Sequence, residues 1–441
     1  MSVRNMRKAQ QALNPPAPRA TDYASDVDRL FPAEPQGDSR GCVDGANGPP
    51  VGTVRAAAAA ALAAEFETAA DLEAAVWRSV SRMAPESQPG PSGLRPEHVK
   101  LAWALVPAFA ASFTELIRRI IIGEFGGDAV AQSTLSLVPK PDGGARPIGV
   151  GELIRRVAGR IAMSIAAPPV RAALEAADQY ALTQFGTALA YRRVAAAAAT
   201  SSWVLQLDLR NAYNEVHRAA VLAAAPDSPI LGPLISTLYR VPSAMFIPKL
   251  QRRLLVTRGV VQGCPLSSAL FACALARITT AASAAAPVAQ AWYADDGHVY
   301  APSAAVLGTY LAAFQAAAAR AGLTLSLGGT KTLLLAPLPL PAEVPVAAPA
   351  LLRDVPVRDE IKVLGCPVLS AAVVDRAERL RAAWDALATK TVSVLNVFRD
   401  VLDPQHTTQL LAAAGAWSRV QYHAMVCADS PMPHEVAARL E

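Results

Sequence analysis

Ala291-Trp-Tyr-Ala-Asp-Asp-Gly-His-Val-Tyr300 is the stretch of sequence that decides the fold. It predicts a strand, a tight turn and a second strand, with Asp295, Asp296 and Gly297 in or beside the turn. An Asp-Gly pair is common in hairpin turns, and a turn alone would account for one of the acids. Two adjacent acids beside aromatic residues repel each other unless a positive charge compensates. The pattern therefore favours a hairpin that presents carboxylates to a cation.

A third acid, Asp208, stands at the end of another predicted strand. Trp203-Val-Leu-Gln-Leu-Asp-Leu alternates with period two and precedes a helix predicted over residues 211–225. One face of this strand carries Trp203, Leu205, Leu207 and Leu209, and the other carries Val204, Gln206 and Asp208. A single acid in this position is usually a turn or cap residue. Three acids at one point could instead hold two Mg²⁺ ions roughly 3.5–4 Å apart, an arrangement that serves phosphoryl transfer.

Three motifs stand in the order found in a known family. Tyr293-Ala-Asp-Asp296 resembles the signature of reverse transcriptases and group II intron maturases. Asp208-Leu-Arg-Asn-Ala-Tyr-Asn-Glu-Val-His-Arg218 resembles the preceding carboxylate motif of the same palm domain. Between them, Gly259-Val-Val-Gln-Gly-Cys-Pro-Leu-Ser267 resembles the Gln-Gly loop that opens a helix, here predicted over residues 265–282. The resemblance implies an α+β right-hand polymerase with fingers, a palm with an antiparallel sheet, and a partial helical thumb.

The resemblance also implies a catalytic centre. Its metal ligands would be Asp208, Leu209, Asp295 and Asp296, which would hold two Mg²⁺ ions, with Mn²⁺ as the alternative. Lys331 resembles the lysine proposed to protonate the leaving pyrophosphate, and it completes the predicted catalytic set with Asp208, Asp295 and Asp296. The usual Asn of that motif is absent and two glycines precede the lysine, so a solvated lysine stays open as the alternative.

A nucleotide pocket is the second site that the resemblance implies. Its predicted members are Lys140, Arg146, Tyr213, Gln262 and Gly263. A hairpin with an Asp-Gly-Gly turn places Lys140 and Arg146 on its two shoulders, where two cations can neutralise a triphosphate or simply form a solvated basic turn. Tyr213 would exclude a 2′-hydroxyl beneath the sugar, or else pack the strand–helix junction. Gln262 and Gly263 would lie against the nascent base pair and the nucleic acid.

Composition and resemblance together divide the chain into five segments. Residues 1–50 lack periodicity and predict a flexible arm, and residues 51–89 predict an alanine-rich helix over 56–78 with Thr53 as its cap. The resemblance assigns residues 90–202 to the fingers, 203–370 to the palm with a Pro-rich loop at 336–349, and 371–441 to a partial thumb. In the thumb, Arg379 and Arg381 lie off an apolar helical stripe and are available to a duplex backbone.

Bulk composition narrows the possible classes of protein only slightly. Hydrophobic residues make up 52% of the 441 residues, and 41 Lys+Arg against 36 Asp+Glu leave a charge of +5, which weakly favours an anionic partner. The five cysteines are scattered, which argues against a zinc knuckle or a disulfide framework and for an intracellular protein, nuclear or cytoplasmic. There is no apolar run of membrane length and no secretory signal.

Further motifs narrow the implied subclass. Gly90-Pro-Ser-Gly-Leu-Arg-Pro-Glu-His98 and Gln184-Phe-Gly186 resemble segments of non-LTR retrotransposon enzymes. Asn211-Ala-Tyr-Asn214 followed by Arg218 is similar to the spliced-leader-targeted (CRE/SLACS-type) elements. The resemblance implies RNA-directed DNA polymerisation (a nucleotidyltransferase reaction) with an RNA template, a DNA primer or duplex, and deoxynucleoside triphosphates (dNTPs). No endonuclease accompanies the core, and the end at Glu441 predicts a fragment or a truncated element copy.

Two other functions stay open at this point. A viral-type RNA-dependent RNA polymerase usually carries Gly-Asp-Asp at the hairpin and lacks an aromatic residue at the position of Tyr213, so nucleotide preference distinguishes it. A catalytically inactive, truncated nucleic-acid-binding relic of a retroelement should have lost acids as readily as other residues, yet all three acids are present.

Overall fold

The computed structural model describes residues 23–31, 51–84, 86–139, 145–200, 202–226, 228–327, 331–337, 350–371, 373 and 375–401. Across these residues the chain folds into helices and three β-sheets, which confirms the α+β class. None of the helices in the described part of the chain is both long enough and apolar enough to span a membrane.

The secondary-structure elements are named in chain order. The helices are α1 (Tyr23–Leu30), α2 (Val51–Glu65), α3 (Ala69–Ser81), α4 (Pro96–Leu105), α5 (Phe109–Ile121), α6 (Asp128–Ala131), α7 (Leu153–Glu175), α8 (Gly186–Ala199), α9 (Ala212–Glu215), α10 (Arg218–Ala223), α11 (Gly232–Tyr239), α12 (Ser267–Ser283), α13 (Ala304–Arg320), α14 (Ala350–Arg353) and α15 (Arg376–Val401). The strands are β1 (Ser133–Pro139), β2 (Ala145–Gly151), β3 (Trp203–Leu207), β4 (Ser243–Ile247), β5 (Arg252–Val256), β6 (Ala289–Tyr293), β7 (Asp296–Ala301), β8 (Leu333–Leu335), β9 (Val357–Arg358), β10 (Glu360–Val363) and β11 (Cys366–Leu369). A 3₁₀ turn occupies Pro248–Leu250.

A five-stranded sheet forms the centre, in the order β6-β7-β3-β8-β9. Strand β3 pairs antiparallel with β7, and the register ends at Leu207 opposite Gly297. Asp208 follows Leu207 and Asp296 precedes Gly297, so the two acids come to the same end of the sheet. The predicted alternation along β3 is confirmed, because Leu205 packs in the main apolar core while Val204 packs in a second cluster on the opposite face.

A second sheet of four strands has the order β2-β1-β4-β5. Strands β1 and β2 form the predicted antiparallel hairpin, from Ser133 opposite Gly151 to Pro139 opposite Ala145. Strand β4 then adds to β1 in parallel and continues into a hairpin with β5. A third, two-stranded sheet pairs β10 with β11.

The single helix predicted over residues 56–78 is wrong, because two helices occupy this region. Thr68 begins the second helix, α3, with a capping box. Its hydroxyl accepts from the N–H of Asp71 (3.2 Å), and the carboxylate of Asp71 accepts from the N–H of Thr68 (2.9 Å). Thr53, which was predicted to be the cap, lies inside α2.

The flexible arm predicted over residues 1–50 contains a folded helix, α1, and the rest of that arm lies outside the described residues. Val27 is fully buried in the main core. The carboxylate of Asp28 pairs with Arg252 (2.7 Å), and the carbonyl oxygen of Leu30 accepts from the side chain of Asn211 (3.2 Å). This part of the arm therefore belongs to the folded body.

The helix predicted over residues 211–225 is also divided, into α9 and α10. Between them, the carbonyl oxygen of Val216 accepts from Gly259 (2.7 Å) and the N–H of His217 donates to Ala321 (2.8 Å). These tertiary hydrogen bonds replace the helical ones at the break. The helix predicted over residues 265–282 begins two residues later, at Ser267.

Helix α15 follows the central region, and residues 402–441 lie outside the described part of the chain. Trp384 is 3% exposed and packs in the second apolar cluster. Arg379 pairs with Asp359 (2.8 Å) and Asp375 (3.2 Å). Its guanidinium ties α15 to the loop before β10, which corrects its interpretation as a cation available to a duplex. Of the Pro-rich loop predicted at residues 336–349, only 336 and 337 are described.

Candidate active site

A cleft of about 700 Å³ opens where the end of β3 meets the β6–β7 turn. It brings together the predicted site residues from both sheets, from α9, from the loop before α12 and from the segment before β8. The predicted residues that line it are Arg146, Asp208, Leu209, Tyr213, Gln262, Gly263, Asp295, Asp296 and Lys331. Lys140 lies outside the described residues.

The predicted hairpin is confirmed, with Asp295 in the turn and Asp296 and Gly297 directly beside it. Tyr293 pairs with Asp296, so Ala294 and Asp295 are the two turn residues and Asp296 begins β7. Gly297 lies inside β7, where a Cβ atom would come within 2.1 Å of the indole of Trp292. This glycine makes room for the indole, and the Asp-Gly turn considered from the sequence does not exist here.

The three acids share one electrostatic environment. The cleft walls remove part of the water around Asp296, and the charges of Asp295 and Asp208 repel its own, which raises the pKa of Asp296 to about 6. Lys331 opposes this rise, and its Nζ lies 3.8 Å from Oδ1 of Asp208. The pKa of Asp296 stays raised although Lys331 and three arginines line the same cleft, so the carboxylates favour a further positive charge close to them.

Carboxylate oxygens are the donors that hard divalent cations prefer. Among the described residues, no three His, Cys, Asp or Glu side chains close around one point tightly enough to hold a metal ion by themselves. Mg²⁺ is commonly held by one or two carboxylates together with water and substrate phosphates. The acids of this cleft therefore fit an ion whose remaining ligands come from a bound triphosphate.

Tyr213 packs against α12 and lines the cleft, and its contact with a sugar stays a prediction. Its ring stacks on Phe271 of α12, with centroids 4.5 Å apart and planes 21° from parallel. Burial raises the pKa of its hydroxyl to about 12, against the opposing effect of a hydrogen bond with Ser268. The residue also lines the cleft, so it packs a junction and presents a surface to a ligand at the same time.

The Gln262–Gly263 loop rests on strand β2. The N–H of Gly149 donates to the carbonyl oxygen of Gln262 (2.7 Å). Gly263 has a φ of +109°, and a Cβ atom there would lie 2.8 Å from the carbonyl oxygen of Gly149. Only glycine meets both constraints without strain. The contact brings the loop beside Arg146, which is exposed on β2.

A buried polar network supports this loop from below, and the sequence did not reveal it. Arg155 is 1% exposed and donates to the carbonyl oxygen of Ala131 (2.9 Å) and the hydroxyl of Tyr239 (3.4 Å). The hydroxyl of Tyr239 lies 3.1 Å from that of Ser267, which donates to the carbonyl oxygen of Val261 (2.7 Å). The network joins α7, α11 and α12 beneath the Gln262–Gly263 loop.

The sequence also missed the contribution of α1 to the cleft. Arg29 and Leu30 line the cleft, and Arg29 pairs with Asp26 (2.8 Å). The spacing of Tyr23, Val27 and Leu30 is the signal that could have predicted a helix here, since these positions share one helical face. No pattern in the sequence indicates that this helix docks beside Asn211.

Residues 138–368 match the family model described as reverse transcriptase (RNA-dependent DNA polymerase). The match spans more than half of the chain and includes all nine predicted residues that line the cleft. The chain therefore belongs to the reverse transcriptase family. No curated protein sequence matches the chain significantly.

Proposed function

We propose that this chain is an RNA-directed DNA polymerase of a non-LTR retroelement that transfers nucleotides with the help of two divalent metal ions. The observation that carries the proposal is the meeting of Asp208, Asp295 and Asp296 with Arg146 and Gln262 in one cleft. Family membership supports the polymerase activity in general. The substrates in this proposal are an RNA template, a DNA primer and dNTPs.

In this proposal Asp208, Asp295 and Asp296 hold the metal ions, with Leu209 beside them as the fourth proposed ligand. Mg²⁺ is the proposed ion and Mn²⁺ the alternative. Bound ions would neutralise the charge that develops on the attacking and leaving oxygens of the phosphoryl transfer. The raised pKa of Asp296 supports this assignment, because it reflects burial of the carboxylate and repulsion by Asp295 and Asp208, and a bound cation would offset both.

The triphosphate lies between the acids and strand β2 in this proposal. Arg146 binds phosphate oxygens through its forked guanidinium, which suits bidentate contact. Lys331 holds a proton at Nζ near the leaving pyrophosphate and donates it as the bond to the α-phosphorus breaks. Its place 3.8 Å from Asp208 supports a role at the reacting centre.

Selection of the nucleotide rests on two further side chains. Tyr213 lies under the sugar and excludes a 2′-hydroxyl by the bulk of its ring, which also stacks on Phe271. Gln262 contacts the nascent base pair from the loop that Gly149 fixes. The proposal thus predicts a preference for deoxynucleotides that is set by the shape of the cleft.

The non-LTR assignment rests on two sequence resemblances, the segment that begins at Gly90 and the Gln184-Phe-Gly186 motif at the start of α8. A right-hand division into fingers, palm and thumb, with the β1–β2 hairpin as fingers and the central sheet as palm, belongs to the same proposal. So does an intracellular location, which the scattered cysteines favour.

Primer extension on an RNA template tests the proposal. The purified chain should extend a DNA primer with dNTPs in Mg²⁺ or Mn²⁺, and the product length should follow the template. Extension with ribonucleotides instead would identify an RNA-dependent RNA polymerase. Tight primer–template binding with no extension in either metal would identify a nucleic-acid-binding relic.

A further inference from the structure

A buried glutamine outside the cleft contacts the turn that carries Asp295. The side chain of Gln179 is 1% exposed. Its Nε2 donates to the carbonyl oxygen of Ala294 (3.0 Å), and its Oε1 accepts from the N–H of Ala294 (2.9 Å). One amide side chain therefore satisfies both main-chain polar groups of the residue that precedes Asp295.

The backbone of Ala294 is strained. Its φ is +54°, a region that disfavours any residue with a Cβ atom because that atom approaches the following carbonyl oxygen. Two-residue hairpin turns usually place Gly, Asn or Asp at such positions. Strained conformations persist only where the surrounding structure over-determines them. The paired hydrogen bonds from Gln179 supply that constraint.

The segment that carries Gln179 is itself fixed to strand β6. The N–H of Trp292 donates to the carbonyl oxygen of Asp178 (2.9 Å), and the N–H of Tyr180 donates to that of Trp292 (2.8 Å). The carboxylate of Asp178 also pairs with Arg193 of α8 (2.6 Å). The backbone is therefore hydrogen-bonded to strand β6 at the residues before and after Gln179.

We propose that Gln179 is a positioning residue for the catalytic carboxylates. By holding Ala294 in the left-handed conformation, it sets the direction in which Asp295 and Asp296 leave the turn toward the cleft. The inference rests on the proposed polymerase function and extends it to a residue that touches neither nucleotide nor metal. Because catalytic groups must be held within about 0.5 Å of the productive geometry, a relaxed turn weakens metal binding and slows chemistry.

The first test replaces Gln179 by Met, which keeps the volume and removes both hydrogen bonds to Ala294. Loss of a partner that orients metal ligands typically costs about 10–100-fold in metal affinity or activity. Gln179→Met should therefore lower single-turnover kcat by about that factor and change the KM for dNTPs by less than about threefold. Mn²⁺ binding, followed by electron paramagnetic resonance without any substrate, should weaken in parallel.

A matched control is Gln290→Met in strand β6. Gln290 is also a buried glutamine, 6% exposed, and accepts hydrogen bonds from the indole of Trp292 (3.0 Å) and the hydroxyl of Tyr310 (3.1 Å). It supports the same strand and makes none of these contacts with the turn. The folded fraction of the Gln290→Met variant should keep the Mn²⁺ affinity and the kcat of the wild type.

A second change separates positioning from general stability. Glycine adopts the left-handed conformation without the Cβ penalty. The double variant Gln179→Met, Ala294→Gly should therefore have a kcat at least fivefold higher than that of Gln179→Met, and it should regain part of the lost Mn²⁺ affinity. Ala294→Gly alone serves as the reference for full recovery. A purely structural role for Gln179 would show no such recovery.

The outcomes distinguish this inference from the proposed function. If the wild type extends primers and Gln179→Met matches it in kcat and Mn²⁺ affinity, the positioning role is wrong and the polymerase proposal stands. If the wild type does not extend primers, the polymerase proposal fails, and the Mn²⁺ titrations of the same variants still decide whether Gln179 positions the acids.

Discussion

The ammonium group of Lys331 lies 3.8 Å from Oδ1 of Asp208, and 57% of the lysine side chain remains exposed. Exposed ion pairs of this kind contribute about 0.2–1 kcal/mol to stability, so folding alone gives this lysine little importance. It lies before β8 and lines the cleft that holds the acids, which supports the proposed role as a proton donor to the leaving pyrophosphate.

Replacing Lys331 by Arg separates proton donation from charge. Arginine keeps the ion pair with Asp208, but its guanidinium does not give up a proton. If Lys331 is a general acid, Lys331→Arg and Lys331→Ala should both lower single-turnover kcat by roughly 10²-fold, with primer–template affinity unchanged. A solvated lysine that only offsets the charge of Asp208 would leave Lys331→Arg at the wild-type rate.

Tyr213→Val should relax sugar selection, because it removes the wall under the sugar. We expect the ratio of kcat/KM for a dNTP over the matching ribonucleotide to fall about 10–100-fold, as for other single steric contacts. Tyr213→Phe keeps the ring and should keep the ratio.

Phe271→Leu is the matched control for the packing explanation of Tyr213. It removes the stacking partner of the tyrosine ring, and Phe271 is not among the residues that line the cleft. It should lower the melting temperature with little change in the nucleotide ratio. A lowered melting temperature with an unchanged ratio in Tyr213→Val as well would show that Tyr213 only packs.

Arg146→Ala should weaken use of the triphosphate. Charge-assisted hydrogen bonds contribute about 1.5–3 kcal/mol, so the KM for dNTPs should rise roughly 10–100-fold. Primer–template affinity should change less than about twofold, since the contact is with the nucleotide alone. Arg253→Ala serves as control, because Arg253 is exposed on β5 of the same sheet and does not line the cleft. Reduced duplex affinity with an unchanged KM would make the β1–β2 hairpin a nucleic-acid clamp.

Asp296→Asn should stabilise the metal-free protein while it abolishes activity. Asn keeps the shape of the side chain and removes a charge that burial and the repulsion by Asp295 and Asp208 disfavour, as the raised pKa of Asp296 shows. Since the cleft is open to solvent, we expect a gain on the order of 1 kcal/mol, or about 2 °C in melting temperature measured with a chelator. Asp354→Asn, at another exposed acid, should change nothing. A lower melting temperature for Asp296→Asn would contradict the repulsion.

The sequence predicted which residues meet in the cleft better than it predicted the elements that support them. Asp208 could be placed because period-two alternation fixes which face and which end of β3 it occupies. An antiparallel partner then had to bring Asp296 beside it, as the pairing of Leu207 with Gly297 does. Gly263 likewise meets a local backbone requirement, a positive φ, which the residue type itself indicates.

The remaining features depend on tertiary partners that no local pattern specifies. Helix α1 docks through the hydrogen bond from Asn211 to the carbonyl oxygen of Leu30, 181 positions apart in the chain. Gly297 lies opposite Trp292 in the hairpin, where a Cβ atom would meet the indole, and period-two reasoning does not show this contact. The cation assigned to a duplex, Arg379, is paired with Asp359, which comes close to it only in the folded chain.

The most direct measurement of the central claim is single-turnover primer extension on an RNA template by wild type, Asp208→Asn, Asp295→Asn and Asp296→Asn. Each change keeps the shape of the side chain and deletes a charge proposed to balance a divalent ion. The account predicts extension by the wild type in Mg²⁺ or Mn²⁺, and no detectable extension by the three variants, with folding and primer–template binding intact. Wild-type turnover by Asp295→Asn in Mg²⁺ would contradict the assignment of these carboxylates as metal ligands.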